Sequence, residues 1–325
     1  MSIPQHRIIL DTDPGIDDAM ALLFLRHRAD VRIEAITTVF GNGGVALTTR
    51  NAHLLAQRFG IEAPIHPGAD MPIGMERRQL ATHVHGADGL GDAGLADGFD
   101  SPPEAESAAE AIVRLVHAHP GEISLLAIAP LTNLALALQL DPGIAPLVKQ
   151  VVVMGGAFGF AGRRGNVSPV AEANIANDPH AADLVLGAPW PVTMVGLDVT
   201  SSCILSQDEA RLIAEQGGAD GQFLWDISRN YEALYREHDG IDGCCIHDVA
   251  AAACLVRPDL FETVSGPIRV ATESVAIGAT MQKPDHQTFP PGAWDGRPSH
   301  KACRTVDAQA LIALYRDTLI GAATR

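Results

Sequence analysis

Residues 7–24, Arg7-Ile8-Ile9-Leu10-Asp11-Thr12-Asp13-Pro14-Gly15-Ile16-Asp17-Asp18-Ala19-Met20-Ala21-Leu22-Leu23-Phe24, decide the fold and the chemistry of this 325-residue chain. Ile8 to Leu10 is a short apolar run bounded by turn residues and reads as a buried strand. Pro14-Gly15 supplies a turn, and from Asp17 onward apolar residues recur at helical spacing. The stretch is therefore a strand, an acidic loop and a helix. Acidic residues in a helix's first turn complement its dipole, which accounts for Asp17 and Asp18. It does not account for Asp11 and Asp13, which stand at the strand's C-terminal end, where open α/β sheets place their ligand crevice. Carboxylates this close cannot all stay ionised unless some hold protons or a cation sits among them, and a cation is the simpler solution. Hard oxygen donors with no local Cys or His select Ca²⁺ or Mg²⁺ over Zn²⁺. An EF-hand loop is excluded, because its twelfth position is Leu22 where a bidentate Glu is required. The remaining ligands come from elsewhere in the chain.

The order downstream of this stretch is repetitive. Val31 to Phe40 reads as a second strand closing on Gly41-Asn42, and Val45 to Gly60 as a helix ended by glycine. Pro64 to Pro103 is long and rich in Gly, Pro and Asp, and it carries His83-Val84-His85-Gly86. A loop of this length inside a compact domain is a lid, a binding loop or disorder, and residues 66–103 are expected to form a mobile lid. Ser107 to His119 is an amphipathic helix, Ile123 to Ala129 a strand, and Pro130 falls in the first turn of the next helix. Val151 to Gly156 is a further strand. Asn177-Asp178-Pro179 starts a helix running to Leu186, Pro191 to Val199 is a strand, and Ser206 with Glu209 forms a capping box for a helix reaching Gln216. Phe223 to Glu237 is helical, as is the Ala-rich segment that opens at His247-Asp248. Ile268 to Ala276 and Lys301 to Val306 are β-rich, and Ala308 to Thr318 is a final helix. This alternation predicts one α/β domain over residues 1–325, with a largely parallel, mixed central sheet flanked by helices.

Asp11-Thr12-Asp13-Pro14-Gly15-Ile16-Asp17-Asp18-Ala19 resembles the N-terminal signature of the inosine-uridine preferring nucleoside hydrolases. Further pieces of that family's pattern recur at Thr38 to Asn42, His85-Gly86, Asn166 to Ile175 and His247-Asp248. The resemblance implies a Ca²⁺-dependent hydrolase that cleaves inosine and pyrimidine nucleosides to base and ribose in nucleoside salvage. It implies that Asp13 is the general base and a metal ligand, with Asp18, Asp248 and the Ile128 carbonyl completing the ligands, and that His247 is the acid toward the departing base. Asp17, Asn42, His85, Met154, Asn166, Glu172, Asn174 and Tyr235 are implied to contact substrate, and Asp11 to steady the acidic loop from behind. Family members often carry an aromatic where this chain has Ala173, which bears on local packing and base preference. A homodimer or homotetramer is also implied.

Composition narrows the alternatives. With 47% hydrophobic residues the chain can bury a large core, and a net charge of −16 argues against a nucleic-acid polymer or an anionic membrane face as partner. The first residues lack the apolar core of a secretion signal, and Cys203, Cys244, Cys245, Cys254 and Cys303 are odd in number without metal spacing. A cytoplasmic protein with reduced thiols is expected. Cys244 and Cys245 stand beside His247, yet sequence neighbours seldom meet in nucleophilic geometry, so buried inert thiols are expected. Two other readings remain. A haloacid-dehalogenase-type phosphatase also begins with Asp-x-Asp after a strand, but it needs Thr or Val where Gly15 stands. A non-catalytic nucleoside or ribose binder is opposed by the presence of Asp13 and His247.

Overall fold

The computed structural model describes residues 5–95, 98, 99, 106–160, 162 and 164–323. The expected lid over 96, 97 and 100–103 lies outside the described residues. The chain opens with β1 (His6–Thr12) and α1 (Ile16–Arg26), then β2 (Val31–Thr38) and α2 (Val45–Phe59), which ends at Gly60 with φ +62°. That left-handed cap is one only glycine adopts cheaply. Next come β3 (Ile65–Pro67), α3 (Thr82–His85), α4 (Ala108–Ala118), β4 (Ile123–Ala127), α5 (Thr132–Leu140) and β5 (Gln150–Met154). Ser107 caps α4 in a box with Glu110. Two short helices follow, α6 (Ala173–Asn177) and α7 (Pro179–Val185), then β6 (Val192–Val195), α8 (Leu197–Thr200) and β7 (Ile204–Ser206). The last third holds α9 (Gln207–Gln216), α10 (Gly218–Asp239), β8 (Gly243–Cys245), α11 (His247–Val256), β9 (Phe261–Gly266), β10 (Ile268–Val270), β11 (Thr280–Gln282), β12 (His300–Val306) and α12 (Ala308–Ala323).

Eight strands form one sheet in the order β3-β2-β1-β4-β5-β6-β12-β9. Every pairing is parallel except the edge pair β12 and β9, so the mixed sheet expected from the sequence is what forms. Along β1 side chains alternate between faces: Ile8 and Leu10 join the core that holds α1, α11 and α12, and Ile9 joins the core that holds α4, α5 and α7. Both faces are covered, which is why the central strands read as unbroken apolar runs. The strand order reverses between β1 and β4, and a crevice opens there at the strands' C-terminal ends. Among the described residues no helix is long and apolar enough to cross a membrane.

The structure corrects several boundaries. The stretch expected as one loop from Pro64 contains β3 and α3, both too short to leave a periodic signal. Pro130 precedes α5, whose N-cap is Leu131. The strand expected to Val199 stops at Val195, because the apolar run continues into α8 after Gly196 turns the chain. Of the expected capping box at Ser206 only the Ser206 half is found: Ser206 accepts from the Glu209 amide, while the Glu209 carboxylate pairs with Arg316. The strand expected over Ile268 to Ala276 ends at Val270.

Candidate active site

Asp13 lies just past β1 and is 1% exposed. Its Oδ2 accepts from the Asn42 amide at 2.7 Å, and its Oδ1 is buried with no hydrogen-bond partner. Gly41 permits this approach, since a Cβ there would stand 1.9 Å from Asp13 Oδ2. Gly15 does the same for its surroundings, where a Cβ would meet Asn42 Nδ2 and His85 Nδ1 at 2.6 Å. Asp18 is held by the Thr12 hydroxyl at 2.5 Å, the Gly15 amide at 2.9 Å and Asn42 Nδ2 at 3.0 Å. Asp11 turns away from the cavity: its Oδ1 accepts from Thr37 Oγ1 at 2.6 Å and Asn133 Nδ2 at 2.8 Å. Asn133 also grips the Thr38 carbonyl and the Ala69 amide, so it ties together β1, β2 and the start of α5 across the crevice.

α1 and α11 pack side by side and bring their N-termini together. Carboxylate oxygens of Asp17, Asp18 and Asp248 lie within 4.8 Å of one another, all three buried. The resemblance implies Asp13 as a ligand beside Asp18 and Asp248, and Asp17 on the sugar; the three carboxylates found together are those of Asp17, Asp18 and Asp248, with the Asp13 amide donating to Asp18 Oδ1. Burial raises the pKa of all four, and repulsion by neighbouring carboxylates adds to it for Asp13, Asp17 and Asp248. Asp17 is pushed up to about 8, Asp13 and Asp248 are pushed well above the usual carboxylate range, and Asp18 is raised despite its hydrogen bonds. Asp11, buried apart from them, rises to about 7 through desolvation. Desolvated carboxylates with an orphaned oxygen are what a divalent cation would satisfy, and the donors are all oxygen, as hard cations prefer. The described residues fit such an ion.

The inner cavity beside the trio holds about 90 Å³ and is lined by Asp17, Asn42, His85, Ile128, Met154, Asn166, Glu172, Ala173, Asn174, Tyr231, Tyr235, His247 and Asp248. The expected substrate contacts therefore all reach one cavity. Asn174 Nδ2 donates to the Ile128 carbonyl at 3.1 Å and the Met154 carbonyl at 3.2 Å. A carbonyl has two lone pairs, so Ile128 keeps one for a second partner. Glu172 caps α6, accepting from the Asn174, Ile175 and Gly156 amides, a structural duty the sequence did not disclose. Asn166 Oδ1 accepts from the Ala173 amide. An outer chamber of about 520 Å³ opens from this cavity past His83, Val84, Val167, Leu234, His238 and Asp239.

His85 is buried, unlike most loop histidines, and burial together with His247 pushes its pKa down to about 3. The neutral ring accepts from the Ile16 amide through Nδ1 at 3.2 Å, so its hydrogen sits on Nε2. The segment after it is anchored: Arg50 and Asn51 donate to the Asp88 carbonyl and Asn230 to the Gly91 carbonyl. Tyr235 Oη lies 2.8 Å from His247 Nε2 and 3.4 Å from Tyr231 Oη. Sequence reading missed Asn133, Thr37, Thr200 and Tyr231 as members of the site; each carries only a common residue type at an unremarkable position. All five cysteines are buried thiols, and burial raises the Cys244 pKa, in keeping with inert thiols.

The chain is similar to known proteins over nearly its whole length. Residues 8–313 match the family model described as inosine-uridine preferring nucleoside hydrolase. A probable uridine nucleosidase 1 of Oryza sativa subsp. japonica is 37% identical over 320 residues, covering 98% of each chain. An inosine-uridine preferring nucleoside hydrolase of Crithidia fasciculata is 35% identical over 288 residues, 86% of this chain and 90% of that one. Among solved structures a plant nucleoside hydrolase superposes with a TM-score of 0.91 at 33% identity, covering 97% of this chain and 99% of the other. With the acidic crevice, the polar cavity beside it and the match over nearly the whole chain in hand, the phosphatase reading falls away, and the chain belongs to the inosine-uridine preferring nucleoside hydrolase family, hydrolases of N-glycosyl compounds.

Proposed function

We propose that this protein hydrolyses the N-glycosidic bond of inosine and pyrimidine ribonucleosides to free base and ribose, with Ca²⁺ as its cofactor. The observation that carries the reading is the meeting of Asp17, Asp18 and Asp248 beside the orphaned Asp13 Oδ1, at the foot of a cavity walled by Asn42, Asn166, Glu172 and Asn174. Asp13, Asp18, Asp248 and the Ile128 carbonyl would hold the ion, and Asp17 joins them on its geometry. When bound, Ca²⁺ supplies Lewis acidity toward the sugar diol and the attacking water.

The protein's own groups do the rest. Asp13 keeps Oδ2 on the Asn42 amide and presents Oδ1 to take a proton from water. Asn42, Asn166, Asn174 and Glu172 orient the ribose, so binding energy away from the scissile bond favours the oxocarbenium-like transition state. The buried carboxylates also complement positive charge developing on the sugar. His247 donates to the departing base, and His85 offers its Nε2 hydrogen inside the same cavity. We place this activity in nucleoside salvage in the cytoplasm, supported by five buried thiols, and in a homodimer or homotetramer, which sedimentation velocity tests.

Reducing-sugar release from inosine and uridine is the direct test. Both are expected to be hydrolysed, and chelation is expected to remove at least about 100-fold of the rate. Phosphate release from phosphomonoesters without ribose release, or tight nucleoside binding without turnover, would replace this reading with the phosphatase or the binding protein. Gly41→Ala is expected to cost roughly 100-fold in kcat, because a displacement of about 1 Å at a reacting group costs that much. A normal kcat in this variant would show that Asp13 does not depend on the close approach of the Gly41 backbone.

A further inference from the structure

His247 opens α11 with its ring almost wholly buried, and its two ring nitrogens face different elements. Nε2 meets Tyr235 on α10 at 2.8 Å, and Nδ1 meets the Thr200 hydroxyl on α8 at 2.7 Å. Thr200 is fully buried, does not line the cavity and is anchored through its amide to the Gly196 carbonyl. Its hydroxyl is therefore out of reach of substrate but in direct contact with the group that faces the base.

Acting as an acid, the ring carries a hydrogen on both nitrogens, and after giving one up it has one donor and one acceptor, so the partner on one nitrogen decides which hydrogen leaves. We propose that Thr200 is a positioning residue for hydrolysis: its oxygen accepts the Nδ1 hydrogen of His247 and so assigns Nε2 as the nitrogen that hands a hydrogen toward the departing base. This rests on the hydrolase reading above. As the C1′–N bond breaks, its electron pair goes to the base. The base takes the Tyr235 hydroxyl hydrogen, that hydrogen is replaced by the one on Nε2 of the imidazolium, and the ring is left neutral with its hydrogen on Nδ1. The ring must keep its Nδ1 hydrogen throughout, and an acceptor on Nδ1 serves it before and after the transfer without rotation. A donor at this position would require a bare Nδ1, and giving up the Nε2 hydrogen would then leave an imidazolate.

Thr200→Val keeps the shape and removes the acceptor, and Thr200→Ser restores it. Both are compared with the native enzyme on uridine, on inosine and on p-nitrophenyl β-D-ribofuranoside, whose phenolate leaves without needing a proton. For Thr200→Val, kcat on the nucleosides is expected to fall by about 10- to 100-fold with KM within about threefold, and the nitrophenyl riboside to lose at least about tenfold less. Thr200→Ser should recover most of the nucleoside rate, and His247→Ala should show the same split more strongly. Equal losses on all three substrates, unimpaired nucleoside turnover in Thr200→Val, or no recovery in Thr200→Ser would each overturn the assignment. A native enzyme inactive on every substrate would instead overturn the hydrolase reading itself.

Discussion

Asp13→Asn is expected to fold normally, to bind ribose, and to lose kcat on inosine and uridine by about 10³- to 10⁴-fold, at the upper end of what a positioned acid or base contributes. Asparagine is isosteric, and its side-chain oxygen can still accept from the Asn42 amide, so the local hydrogen bonding survives. What disappears is the basicity of Oδ1, the oxygen with no partner in the folded protein. The substitution also removes a buried carboxyl repelled by Asp18 and Asp17, so the melting temperature in chelator should hold or rise. Single-turnover ribose release measures the chemistry, and a ribose titration measures binding. A kcat near the native value would take Asp13 out of the base's role, and a collapsed melting curve would make it structural.

Asp248→Asn is expected to lose more Ca²⁺ affinity than the about 10- to 100-fold typical of groups outside the direct ligands, and to lose turnover with it. The pH dependence of native binding follows from the same carboxyls. Each has a folded-state pKa raised above its unfolded value, so the ion-free protein keeps protons that the unfolded chain releases, and its stability falls as pH rises. For Asp17 the window runs from the ordinary carboxylate value to about 8. Ca²⁺ binding expels those protons, so its affinity should climb by up to about tenfold per pH unit for each proton released in that window. Calorimetry at pH 5 and pH 8 should show the steeper binding at pH 8, and a larger stabilisation by Ca²⁺ there. Asp248→Asn should abolish that stabilisation yet melt higher than the native protein in chelator, because Asp17, Asp18 and Asp13 lose a neighbour that repels them. A variant that still gains stability from Ca²⁺ as the native protein does would remove Asp248 from the ligand set.

Much of the architecture was readable from local patterns. The strand, acidic loop and helix around Asp13 stand as expected, as do α2 with its glycine cap, the amphipathic α4 and the helix at His247, because periodicity and capping depend on neighbours a few residues apart. The failures have the same origin. β3 spans three residues and α3 four, too few for a period to show, and Glu172 caps α6 where Ser, Thr, Asp or Asn would have announced a helix start.

The site divides along the same line. Residue types alone marked Asp11, Asp13, Asp17 and Asp18 as candidates for a hard cation, and resemblance extended the set to Asn42, His85, Ile128, Met154, Asn166, Glu172, Asn174, Tyr235, His247 and Asp248. The linear chain could not say that Asp17 rather than Asp13 would share a 4.8 Å triangle with Asp18 and Asp248, nor that Asn133 would bridge β1 and β2, nor that Thr200 would sit on His247. Those meetings come from the strand order β2-β1-β4-β5-β6 and from α1 and α11 packing together, and they join residues far apart in sequence. Helical and strand periodicity is a short-range property that a sequence carries openly. Which oxygen faces which, and which is left without a partner, is set by packing over the whole domain.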